Sequence, residues 1–219
     1  MQFMMDYLHS GDDVLDVGEN VGVYTVLAAS LVNPGGTADA VEAVQATARR
    51  LIENVELNLL CDCVTVHHLA VGSEEDWVEM TTNQEAVNHM TADQGVAGPT
   101  VRVRAGRLDD IATRCNYAFG KIDIEGREWD AFRGAQGLLR DRNPPVCVVE
   151  VNGALFRYGH QVMPFVAWMA EFGFEPWTYE PDSRVLLRER EKVWGDVFFV
   201  ARDRLDLVKE RIPRLRIIE

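Results

Sequence analysis

The run Lys121-Ile122-Asp123-Ile124-Glu125-Gly126-Arg127-Glu128 concentrates chemistry more densely than any other part of this 219-residue chain. On an extended strand, Lys121, Asp123 and Glu125 would share one face, with Ile122 and Ile124 on the other. Three charges in line are costly to bury without partners. They therefore read either as a structural ion-pair network or as a functional site. Glu128 opens the following helix, whose N-terminus stabilises a carboxylate in any case. A second constellation spans Asp13 to Tyr24, DVLDVGENVGVY. Val14, Leu15 and Val17 suit a buried parallel strand. Gly18 permits a sharp turn close to a ligand, Asn20 suits the cap of a helix starting near Val21, and Gly22 lets that helix pack closely. The spacing is G-x-x-x-G, unlike the G-x-G-x-x-G of a dinucleotide fingerprint. Glu42, closing the strand Ala38-Asp39-Ala40-Val41-Glu42, is placed to accept hydrogen bonds from a ribose diol. Together these features suggest a nucleoside-bearing cofactor across the carboxyl ends of two adjacent strands.

Other candidates are single residues. Glu150 and Asn152 end an apolar strand, and His160 follows in Tyr158-Gly159-His160-Gln161. Its imidazole titrates near neutrality, although a lone loop histidine is more often a surface residue. One of His67 and His68 must face inward from a strand. Phe156, Tyr158 and Trp129 suit either a substrate pocket or the core. Asp123, Glu125 and Glu150 offer hard oxygen ligands to a divalent metal, yet nothing in the pattern demands one, and the reading includes no metal.

These residues need a scaffold, and the periodicity supplies an alternation of strands and helices, the mark of a parallel sheet flanked by helices. Strands are expected at 13–17, 37–42, from Val64 towards Gly72, at 119–125 and at 146–151. Helices are expected at roughly 21–33, 44–59 and 128–140, with another from Val162 to Gly173. The last two strands, 184–188 and 196–201, are expected to pair antiparallel. The stretch 73–107 departs from the pattern. Trp77–Thr81 and Val101–Arg104 alternate like half-exposed antiparallel strands, and 83–99 between them reads as a mobile loop near the substrate mouth. The tail from Leu205 is charged and reads as a surface helix or a loose end.

Bulk properties narrow the class. With 47% hydrophobic and 26% charged residues, a substantial core is expected. A balance of 22 basic against 35 acidic residues, net −13, argues against a nucleic-acid partner. No apolar run approaches the roughly 20 residues that span a bilayer. The first residues lack a signal-peptide pattern, so a cytoplasmic location is the default. Cys61, Cys63, Cys115 and Cys147 lack zinc-ribbon spacing and read as reduced thiols, with Cys147 a buried small hydrophobe.

The segments DVGENVGVYT, NVELN at 54–58, LAVGS at 69–73, RLDDI at 107–111, KIDIEGREWDAFRGA at 121–135 and PPVCVVEV at 144–151, with Glu42, resemble the FkbM-type S-adenosylmethionine-dependent methyltransferases. The likeness runs over roughly 11–200 of the sequence. It implies an α/β, Rossmann-like class I methyltransferase fold: a seven-stranded, mostly parallel sheet with helices on both faces and an antiparallel last strand. One domain over 1–219 is expected, with a small β and loop insertion at about 73–107. The implied cofactor is S-adenosyl-L-methionine. The resemblance places Asp16 and Gly18 at its methionine end, with Asn20 and Gly22 beside them. It places Glu42 and Ala43 at the ribose, and Asp62, Cys63 and Ala70 about the adenine. Asp123 falls where cofactor and substrate meet.

Asp123, Glu125 and His160 are the catalytic candidates, and Glu150, Asn152 and Tyr158 the substrate-binding ones. The implied reaction is O-methylation of a small-molecule hydroxyl, on a sugar or secondary metabolite. An N- or protein-directed methyltransferase and a catalytically silent cofactor-binding module are the alternatives; oligomeric state is open. Two residues depart from the family pattern: Glu19 replaces its usual alanine, and Ala43 its usual proline. Glu19 puts a carboxylate beside the implied cofactor pocket, where it could bond the methionine ammonium or repel the methionine carboxylate, and it is expected to point to solvent or substrate. The first strand begins only about a dozen residues in, so a substrate-covering N-terminal segment is expected to be short or absent.

Overall fold

The computed structural model describes residues 1–81, 90, 99–112, 114–190 and 193–219. Its first half runs α1 (Gln2–Tyr7), β1 (Asp13–Val17), α2 (Val23–Val32), β2 (Thr37–Glu42), α3 (Gln45–Leu57), β3 (Val64–His68) and β4 (Ala70–Val71). Next come β5 (Asp76–Thr81), β6 (Thr100–Gly106), α4 (Leu108–Ile111), β7 (Tyr117–Ile122), α5 (Glu128–Arg133), α6 (Gln136–Asp141) and β8 (Val146–Val151). A 3-10 turn over Gly153–Tyr158 leads to α7 (Val162–Glu171), β9 (Phe174–Glu180), β10 (Val185–Arg188), β11 (Gly195–Ala201), α8 (Leu205–Arg211) and β12 (Arg216–Ile218).

The main sheet is ordered β12-β10-β9-β11-β8-β7-β1-β2-β3. From β3 to β8 the strands are parallel, and β11 runs against both β8 and β9. That portion, ending at β9, contains the seven strands with one reversed that the resemblance implies; β10 and β12 extend it to nine. The expected pairing of the last strands is corrected: β10 and β11 each pair with β9 and not with each other. Phe174–Glu180 escaped the periodicity because Glu175 and Pro176 interrupt its apolar pattern, and proline is normally kept out of central strands. Glu175 is buried there and bonded by Arg188 and Arg202. The charged tail forms α8 and β12, and α1, which the sequence reading left unassigned, packs Phe3, Met4 and Tyr7 into the core.

Strand alternation assigns side chains to two cores. Val14, Phe119, Val148 and Val200 face α1, α2, α3 and α8, meeting Phe3, Ala28, Ala29, Leu51 and Val208. Leu15, Ile122, Val149 and Phe199 face α5, α6 and α7, meeting Phe132, Leu139, Phe165 and Met169. α2 buries Thr25, Ala28, Ala29 and Val32, the stripe a helix turns towards a sheet.

The insertion has its own small sheet, β4-β6-β5, with β5 and β6 antiparallel as expected. It closes a third apolar cluster of Val44, Ala70, Met80, Met90, Val103 and Ala105. The mobile loop expected over 83–99 lies outside the described residues, apart from Met90, which bridges Met80, and Pro99. No helix among the described residues is long and apolar enough to cross a membrane.

Candidate active site

Because β1, β2, β7 and β8 are parallel, their carboxyl ends open on one side, and a cavity of about 710 Å³ lies there. Its floor is the turn after β1. Gly18 sits at φ +82°, and a Cβ there would come within 1.8 Å of the Asp123 carbonyl oxygen. Only glycine lets the loops after β1 and β7 touch in this way. The Asp123 N–H bond to the Val17 carbonyl ties these two loops, and the Gly18 N–H bond to the Val41 carbonyl ties the turn to β2, both at 2.9 Å.

Asn20 does not cap α2. Its backbone is left-handed (φ 56°) and Gly22 occupies the cap position. The Asn20 N–H instead donates to Glu42 Oε2 at 3.0 Å, and the Val44 N–H donates to Oε1 at 2.7 Å. Burial pushes the Glu42 carboxyl upward, and these two donors oppose the shift. Each carboxylate oxygen has a second lone pair, so Glu42 can still accept from a diol in the cavity. Ala43, Leu69, Ala70, Val71, Met80 and Met90 give an apolar wall beyond it, suited to a planar base. Asp62 and Cys63 are not part of that wall, and Gly22 packs against Leu51 beneath α2.

Glu19 overturns its expectation. It is 4% exposed and turns inward, its Oε1 accepting the Thr25 N–H at 3.1 Å. That donor is one of the free N–H groups at the start of α2, where a carboxylate is favoured. Thr25 Oγ1 donates to Asp16 Oδ2 at 3.0 Å. Asp16, a cofactor candidate in the sequence, is not on the cavity wall, whereas Glu19 forms part of it. Burial first, and then the neighbouring Asp16, push the Glu19 carboxyl up to about 11.

Across the floor, Lys121 Nζ bonds Asp123 Oδ2 at 2.9 Å and lies 4.7 Å from the centre of the Tyr24 ring. Burial pulls the lysine down, but Asp16 and Asp123 outweigh it and the net direction is up. The strand ends at Ile122, so the expected row of three charges on one strand is corrected: Asp123 and Glu125 sit in the loop, Glu125 with φ 59°. The turn nevertheless brings them together with Glu150 from β8. Oxygens of Asp123, Glu125 and Glu150 all lie within 4.8 Å of one another. That spacing can accept several hydroxyl hydrogens or a hard cation. Glu128 stiffens the loop, accepting the Ile124 and Gly126 N–H groups at 3.0 Å each. Burial, then Asp123, Glu125 and Glu128, push the Glu150 carboxyl to about 7.

Besides Asp16 and Gly22, three further sequence candidates lie off the cavity wall. His160 Nε2 pairs with Asp130 Oδ2 at 3.2 Å and its ring packs against Trp129. Asn152 Oδ1 accepts the Ala154 N–H at 2.7 Å, capping the 3-10 turn. Tyr158 donates its hydroxyl to the Met90 carbonyl at 2.6 Å, so it buttresses the apolar wall. Thr47 and Arg50, which the sequence reading missed, line the cavity from α3. Their i, i+3 spacing just after Glu42 was the available signal.

Five parallel strands followed by the reversed β11 and then β9, with a glycine turn facing an acid at the neighbouring strand end, are the architecture of a Rossmann-like class I methyltransferase fold. The model of the methyltransferase FkbM domain matches residues 16–176, and the chain belongs to that family. Its cofactor is S-adenosylmethionine. Among solved structures, a methyltransferase FkbM from Methylobacillus flagellatus is similar, with TM-score 0.59 and 12% identity. The likeness covers 88% of this chain but only 44% of that one, so this chain spans under half its length. A presumed rRNA-methylase from Clostridium thermocellum matches with TM-score 0.54, 12% identity and coverage of 90% and 88% of the two chains. These likenesses are of fold. No curated protein matches the sequence.

Proposed function

We propose that this methyltransferase methylates a hydroxyl of a small, polyhydroxylated acceptor held against Asp123, Glu125 and Glu150. The observation that carries the reading is the convergence of those three carboxyl groups at the end of the cofactor-sized cavity, one of them poised near neutrality. Glu42 would receive the ribose hydroxyls, the wall from Ala43 to Met90 the adenine, and the turn at Gly18 the methionine end. When bound, S-adenosylmethionine supplies an electrophilic methyl group and a neutral thioether as leaving group. The leaving group needs no acid, so the protein has two tasks, alignment and removal of the hydroxyl proton.

Glu150 is suited to take that proton, because a base titrating near the working pH combines availability with driving force. Asp123, held by Lys121, and Glu125 orient the acceptor hydroxyls. The excess of acid, net −13, favours a small acceptor over a nucleic acid. A screen of sugars, phenols and amines with methyl-labelled cofactor tests the reading. Transfer to hydroxyl compounds is expected, and labelling confined to amines or to protein would overturn it.

A further inference from the structure

Asp16 Oδ1 and Glu19 Oε2 are both buried without a hydrogen-bond partner among the described residues. A buried carboxylate oxygen with nothing to accept from is costly, and here two lie together. The two carboxyl groups are within hydrogen-bonding reach of one another, so a single proton between them satisfies both. The surrounding charges explain why a proton is needed. Among the described residues, the charged groups facing Glu19 are Asp16 from β1 and Lys121 from β7, while Thr25 of α2 offers neutral donors. Lys121 is already bonded to Asp123. Three acids therefore share one ammonium, and the corner is short of positive charge. Glu19 alone of the pair reaches the cavity wall.

We propose that Glu19, backed by Asp16, is the receptor for the α-ammonium of the cofactor's methionine portion, and that it exchanges its shared proton for that ammonium. In the free protein the proton bridges Asp16 and Glu19. On binding, Glu19 gives this proton to bulk water and accepts an N–H from the ammonium, so one proton leaves per cofactor bound. Charge is conserved: one positive charge enters the corner and one departs. Glu19 is thus a specificity residue for the amino acid end, which the family's usual alanine at this position cannot be.

The inference rests on the cofactor occupying this cavity, and two probes separate the two ideas. S-adenosylhomocysteine carries the ammonium, whereas methylthioadenosine has the nucleoside without it. Calorimetry in buffers of different ionisation enthalpy should show about one proton released with S-adenosylhomocysteine and none with methylthioadenosine. From about pH 6 to about pH 8, affinity for the former should rise towards tenfold per unit, because binding needs the deprotonated pair. Affinity for methylthioadenosine should stay flat.

Glu19→Gln should weaken S-adenosylhomocysteine about ten- to hundredfold and abolish the proton release, leaving methylthioadenosine within about twofold. Glu19→Ala should lose the proton release likewise, and serves if the glutamine variant folds poorly. Unchanged proton release in either variant would overturn the proposal, as would equal losses for both ligands, since Glu19 would then serve only the loop. Glu42→Ala should weaken both ligands, which checks the cavity assignment separately. A wild-type protein that binds neither compound would overturn both ideas together.

Discussion

On one side of Lys121, Asp16 and Glu19 are 1% and 4% exposed and locked by Thr25 and the start of α2. On the other side, Asp123, Glu125 and Glu150 are all partly exposed and converge from the loop after β7 and the end of β8. The same residue types, a few ångströms apart, serve different ends. Deep burial fixes geometry and makes ionisation expensive, which suits recognition of a permanent charge. Burial beside like charges brings the Glu150 carboxyl to about 7, which suits proton transfer. The contrast predicts that variants on one side change affinity and variants on the other change turnover.

Glu150→Gln should break the acceptor side most sharply. Turnover is expected to fall about a hundred- to ten-thousand-fold, with affinity for S-adenosylhomocysteine nearly unchanged. The wild-type rate should rise as pH increases through about 7, because Glu150, its carboxyl pushed to about 7, acts only when deprotonated. That limb should vanish in the variant. A rate profile keeping the limb would reassign the base. Next in size, Gly18→Ala strikes the contact between the two sides. Left-handed strain and the clash with the Asp123 carbonyl should cost about 2–4 kcal/mol, or roughly 5–15 °C in melting temperature. A normal melting curve would show that the two loops can separate.

Glu42→Ala tests the recognition side. It should weaken S-adenosylhomocysteine by about 1.5–3 kcal/mol while leaving turnover at saturating cofactor close to wild type. A large loss of saturated turnover would blur the division. The smallest effect is expected for His160→Ala. Turnover should stay within about twofold, and stability should fall by about 1 kcal/mol as the bond to Asp130 is lost. A collapse of activity with normal melting would return His160 to the site.

Most of the turn after β1 and the end of β2 was legible in the sequence, because Val14 to Val17, the glycine turn and Glu42 are local signals whose spacing dictates their geometry. The far edge was less so. Glu175 carries a charge into a buried strand and depends on Arg188 and Arg202, which lie elsewhere in the sequence. Site residues divide in the same way. Gly18, Glu42, Ala43, Ala70, Asp123, Glu125 and Glu150 all line the cavity, whereas His160 and Asn152 are used locally by Asp130 and Ala154. The inward turn of Glu19 was hidden, because nothing in one-dimensional order reveals that Thr25 would draw it under the helix. Likewise, Asp123 and Glu125 were expected on a strand, yet the chain turns at Ile122 and meets Glu150 by another route.

The contact between Gly18 and the Asp123 carbonyl has a consequence for how this enzyme could be redesigned. With no room for even a methyl group between them, the donor loop and the acceptor loop form one rigid bracket. Reshaping the backbone at 123 to admit a new acceptor would disturb the donor side as well. Side chains at 125 and 150 carry no such constraint from position 18. A catalyst built this way acquires new substrates by exchanging side chains on a fixed frame, and loop grafting is the route most apt to ruin it.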